Sequence, residues 1–150
     1  MTAQLLYPLW ALATGFMIAS QALVNAKLGQ YIGGPIWAAF TSFLVGTIFI
    51  FGFGLIVKGK LPEIQFEHLQ WWMFLGGLMG AFFVISSITI VPVMGVTAMI
   101  ALFIAGQLVA ATLLDHYGIL AEAPKPMTLQ KIAGICVLAV GAFLILYTKK

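Results

Sequence analysis

The sequence predicts an all-α integral membrane protein, a bundle of five transmembrane helices. Hydrophobic residues make up 63% of the chain and charged residues only 7%, whereas about a quarter of a soluble domain is charged. The mean hydropathy is +1.12. The apolar residues also fall into five runs of about twenty, the length an α-helix needs to cross roughly 30 Å of hydrocarbon. Between these runs lie segments that collect Lys, Glu, Gly and Pro. Helices are expected over about 5–27, 36–57, 71–91, 96–115 and 128–147, and residues 1–150 are read as a single transmembrane domain.

Composition also excludes function classes. The net charge is +3, but no basic cluster exists, so a nucleic-acid partner is not expected. All seven basic residues are lysines, and without the planar fork of arginine a site dedicated to an anion is poorly supported. The single Cys136 excludes an intrachain disulfide. His68 has no second ligand at metal spacing, no nucleophile has a base at workable spacing, and the expected set holds no metal, no cofactor and no enzyme.

Helix 1 carries the most informative pattern. At roughly 100° per residue, Tyr7, Trp10, Thr14, Met17, Gln21 and Asn25 fall within roughly 80° of one another and form one stripe. Leu9, Leu12, Phe16, Ala19 and Leu23 occupy the opposite face. Amide side chains have no water to bond in hydrocarbon, so Gln21 and Asn25 are expected to face protein or a wet cavity. The stripe is therefore a candidate binding site, although Trp10 and Met17 suit packing equally well. The N-terminus lacks the positive region that opens a signal peptide, and helix 1 is read as a mature span.

The turn after helix 1 is rich in glycine and ends at Pro35. Helix 2 shows a small-residue row at Ala38, Ser42 and Gly46, a helix-packing signal of low specificity. Trp37 reads as an interfacial anchor. Lys58 to Gln70 carries Lys58, Lys60, Glu63 and Glu67 and reads as an aqueous loop with a short turn after Pro62. Helix 3 opens on the belt pair Trp71 and Trp72, holds Gly76 and Gly80 for close packing, and carries Ser86, Ser87 and Thr89, whose hydroxyls can bond back to their own helix. Pro92 is expected to stop that helix and Gly95 to allow the reversal into helix 4.

Gln107 lies in the middle of helix 4, where a polar group is expensive and marks either a site or a bond to a neighbouring helix. Asp115 reads as a solvated helix end and Gly118 as its C-terminal cap. In helix 5, Gly134, Leu138, Gly141 and Ile145 share one face, with the glycines seven residues apart. This flat seam suits a partner helix and is the expected dimer interface. Cys136 reads as a small packing residue.

Five spans put the termini on opposite sides of the membrane. Lys58, Lys60, Lys125 and Lys131 then face Lys27, Lys149 and Lys150 across it. Lysine bias sets orientation and acidic residues such as Glu63, Glu67 and Glu122 count little, so so even a split instructs almost nothing. Insertion both ways is one expectation; a fixed orientation set by one or two lysines or by a partner chain is the other. Two copies in opposite orientations would supply the inverted pair that many transporters build around a midplane site. A parallel dimer remains open.

Several segments in order, G-F-M-I-A-S-Q-A-L-V-N-A-K-L-G, A-A-F-T-S-F-L-V-G, W-W-M-F-L-G-G-L-M-G-A, V-P-V-M-G-V-T-A, A-G-Q-L-V-A-A-T-L-L-D-H-Y-G and K-I-A-G-I-C-V-L-A-V-G, resemble the drug/metabolite transporter superfamily and its small five-helix YdcZ-like family. The resemblance covers nearly the whole chain. It implies a multi-pass protein of a bacterial-type inner (plasma) membrane that moves small organic solutes as a dimer, one half of a ten-helix assembly. Small multidrug-resistance proteins are also similar in size and in a glycine-lined last helix, but use a glutamate in helix 1. Here the stripe offers Gln21 and Asn25 and no carboxylate, and an amide cannot carry a proton between pH 5 and 8.

The expected function is transport of a small polar or cationic organic solute by alternating access at a dimer-interface cavity. Gln21, Asn25, Gln107 and Thr14 would bind the solute within walls formed by Tyr7, Trp10 and Met17. The expected partners are membrane lipid, the solute and a second copy, in antiparallel or parallel orientation. The alternative is a non-transporting membrane subunit that scaffolds a partner chain, with the stripe as glue between helices.

Overall fold

The computed structural model describes residues 2–119 and 124–147. Side chains before Leu6 and that of His68 lie outside the description, as do Glu122, Lys149 and Lys150. The chain is all-α, with α1 at Thr2–Gly29, α2 at Pro35–Lys58, α3 at Leu75–Met94, α4 at Val96–Tyr117 and α5 at Leu129–Tyr147. Two 3₁₀ turns, Phe66–His68 and Trp71–Phe74, lie between α2 and α3. No strand occurs among the described residues. Five helical segments of 19 to 24 residues are long and apolar enough to span a membrane. At about 1.5 Å per residue they measure roughly 28–36 Å, which brackets the hydrocarbon thickness.

The fold resolves into two compact units, Met1–Val93 and Met94–Lys150. In the first, α1 and α2 form an antiparallel hairpin whose turn is closed by Tyr31 N–H to Leu28 O at 3.0 Å and Gly34 N–H to Gly29 O at 2.9 Å. Pro35 takes a first-turn position of α2, where its missing N–H costs nothing. The core joins Ala38 and Ala39 of α2 to Val84 and Ile88 of α3, with Leu28, Ile32, Phe83 and Ile85 around them. The alanines leave room for the Val84 and Ile88 side chains, and Gly80 of α3 lies against the Phe43 ring.

In the second unit α4 and α5 pair through Asp115 and Lys131, whose charged atoms are 3.8 Å apart. The Lys125 N–H also donates to the Asp115 carbonyl at 2.8 Å. Thr128 caps α5, accepting from the Lys131 N–H at 3.3 Å.

The expected boundaries shift in specific ways. α1 starts earlier and runs through Pro8. α3 also runs through Pro92 to Met94, against the expectation that Pro92 would stop it. Pro92 cannot donate to the Ile88 carbonyl, so the helix passes it with one backbone bond missing and ends two residues later. The break comes at Gly95, whose φ of 80° is open to glycine and strained for other residues. α4 extends two residues beyond Asp115, to Tyr117, before Gly118 caps it in the left-handed conformation. Ser87 and Thr89 do bond back to their own helix, each at 2.8 Å. Cys136 is exposed in the single chain, against the expectation of a packing role.

Candidate functional site: the groove between α1 and α2

The stripe of α1 divides along its length. Tyr7, Trp10, Thr14, Met17 and Gln21 are exposed, and only Asn25 is buried. The opposite face is exposed too, with Phe16 at 76% exposure. Thr14 donates its hydroxyl proton to the Trp10 carbonyl at 2.9 Å and keeps its oxygen as an acceptor. Nearer the hairpin turn the stripe meets α2.

There Gln21 lines a groove of about 210 Å³ with Ser42, Phe43, Gly46, Thr47 and Ile50. The antiparallel hairpin produces this placement, because residues equally distant from the turn on α1 and α2 come level. Gly46 leaves the space: a Cβ built there would meet nothing within 4 Å. Phe43 and Ile50 supply apolar surface, and Gln21, Ser42 and Thr47 supply hydrogen-bonding groups. None of these three side chains bonds to another described residue. Ser20, their neighbour on α1, donates to the Phe16 carbonyl at 3.0 Å.

Asn25 lies one helical turn beyond Gln21 and is 4% exposed. Its Nδ2 is buried and has no hydrogen-bond partner. An unsatisfied buried donor costs about 1–3 kcal/mol, and the expense is greater where water is excluded. The amide is thus poised for an acceptor that the isolated chain does not supply.

Gln107 lies on α4, in the second unit, and is exposed. The seam of α5 is part of a groove of about 370 Å³ against α4, to which Gly134 and Leu138 contribute beside Thr112 and the Asp115–Lys131 pair. Gly141 is half-buried and Ile145 is exposed. A Cβ at either glycine would meet nothing within 4 Å, so the face is open. A further cavity of about 480 Å³ sits where α2 meets the loop, with Lys58, Lys60 and Glu63 on its rim. It contains none of the candidate binding residues, and its ion pair is largely solvated.

Sequence reasoning missed Thr47 entirely and read Ser42 only as a packing residue. The available signal was their place beside Gly46, on the helix face repeated by Phe43 and Ile50 at helical spacing. No cluster of three or more metal-ligating side chains occurs among the described residues.

Comparison with known proteins places this architecture. A family model described as "Putative inner membrane exporter, YdcZ" matches residues 6–144, from the second turn of α1 almost to the end of α5. The chain belongs to this family. The inner membrane protein YdcZ of Escherichia coli strain K12 is 28% identical over 130 residues, covering 85% of this chain and 76% of that protein. No solved structure matches. As a member of the YdcZ exporter family with five apolar helices, the chain is a multi-pass inner-membrane protein with a transporter role. That role points away from an enzyme.

Proposed function

We propose that the chain carries a small polar organic solute across the inner membrane by alternating access, with two copies enclosing the path. The observation that carries this reading is Gln21, held at the α1–α2 groove without an intramolecular partner, next to the buried and unpaired Asn25. Polar groups at membrane depth are expensive and are normally satisfied. Groups left open beside a cavity are available to a solute. Gln107 is proposed as a second polar contact, and Tyr7, Trp10 and Met17 as apolar walls when a second copy covers the exposed part of α1. The seam of Gly134, Leu138, Gly141 and Ile145 is proposed as the contact between copies.

The test is efflux from proteoliposomes loaded with a metabolite panel and read by mass spectrometry. Wild type is expected to deplete at least one solute, and Gln21→Leu and Gln107→Leu are each expected to slow that efflux at least tenfold. Efflux unchanged in both variants would remove these residues from the path. No efflux by wild type, together with co-purification of a different chain at fixed ratio, would favour a scaffolding subunit instead.

A further inference from the structure

We infer that the groove between α1 and α2 takes an uncharged, hydrogen-bonding solute, and that Ser42 and Thr47 select it together with Gln21. This deepens the transport reading and rests on it for its physiological meaning, but binding can be measured without transport.

The hydroxyls make the first argument. The easiest partner for a serine or threonine inside a membrane helix is its own preceding turn. Thr14, Ser20, Ser87 and Thr89 all take it, donating to Trp10, Phe16, Val84 and Ile85. Ser42 and Thr47 do not, and neither do Thr41, Ser86, Thr97 and Thr112; what sets Ser42 and Thr47 apart is that both line this groove. Each retains a donor and acceptor sites, and Gln21 adds an amide with both.

Charge makes the second argument. None of the six groove residues is ionisable. An ion entering would be desolvated with no counter-charge, at far greater cost than a neutral polar group that finds hydrogen bonds. This narrows the expected class from polar or cationic to uncharged.

Size and shape follow. About 210 Å³ is roughly the volume of seven waters at ~30 Å³ each, which suits a small solute. Phe43 and Ile50 favour one with an apolar or flat face. Asn25, one turn farther along α1, is buried and does not line the groove, so it is no part of this assignment. A lipid chain would leave all of the groove's polar groups unpaired.

The experiment is equilibrium binding of radiolabelled probes to the full chain in phosphatidylethanolamine–phosphatidylglycerol nanodiscs. The probes are uncharged erythritol, nicotinamide and uracil, cationic choline and anionic succinate. Saturable binding of at least one uncharged probe is expected, without competition from choline or succinate. Gly46→Leu, which fills the groove, should raise its Kd at least tenfold, and Ser42→Ala and Thr47→Val severalfold each. Gly46→Ala, whose new methyl group meets nothing within 4 Å, keeps the fold and should have an intermediate effect. The inference is overturned if no uncharged probe binds saturably, if choline or succinate binds in a manner that Gly46→Leu abolishes, or if Gly46→Leu leaves binding unchanged. Efflux of the bound probe is measured in parallel. Binding as expected with no efflux would overturn transport and leave the groove assignment standing; efflux that ignores all the groove variants would overturn the groove and leave transport standing.

Discussion

Asn25 illustrates what a single residue reveals. Replacing it with leucine removes an unpaired donor from a buried position, so Asn25→Leu is expected to leave the thermal midpoint in detergent unchanged or higher, while efflux falls at least tenfold. A matching loss of stability would instead mark the amide as structural glue. Thr14 supplies the contrast. Its hydroxyl proton is committed to the Trp10 carbonyl, so Thr14→Val is expected to change efflux less than twofold. The amides of the stripe were legible in the sequence because an amide at membrane depth has few ways to be satisfied. Hydroxyls are not legible in that way. Ser20 and Ser42 look alike in a sequence, and only coordinates show that one bonds to its own helix and the other faces a groove.

At the level of elements, composition and periodicity located all five helices, because a span must be long and apolar whatever it packs against. Their ends depend on subtler balances. Pro92 did not end α3, which runs two residues past it, whereas Gly95, at positive φ, did. The cap at Gly118 was legible as a glycine after an apolar run, but its tightness was not. A Cβ there would lie 2.9 Å from the Pro124 ring, at a φ of +64°. Gly118→Ala is therefore expected to cost roughly 1 kcal/mol or more, measured as a lower thermal midpoint. The Asp115–Lys131 pair was invisible to a reading of either helix alone, because it depends on how α4 and α5 align. Both side chains are substantially exposed, so Asp115→Asn is expected to shift stability by less than about 1 kcal/mol.

For the whole molecule, the most informative feature is how much apolar side chain faces outward. Ile56 is 84% exposed and Leu129 81%. Lipid satisfies such surface, and so would a second copy. The candidate site was legible only in part for the same reason: in one chain Asn25 is buried and Gln21 lines the α1–α2 groove, but Gln21, Tyr7, Trp10 and Met17 all remain exposed. The near-even lysines bear on how copies pair. Insertion in both orientations predicts that a cysteine at position 149, in a Cys136→Ala background, is labelled by a membrane-impermeant maleimide from both sides of sealed cells and inverted vesicles. Labelling from one side alone would rule out antiparallel copies.

Trans-stimulation tests alternating access most directly, since a carrier returns faster when loaded than when empty. Proteoliposomes would be filled with a labelled solute shown to leave through wild type, and the same unlabelled solute added outside. The account predicts that efflux accelerates in wild type and that Gln21→Leu abolishes the acceleration. Efflux that is indifferent to external solute, or an acceleration that survives Gln21→Leu, would contradict it.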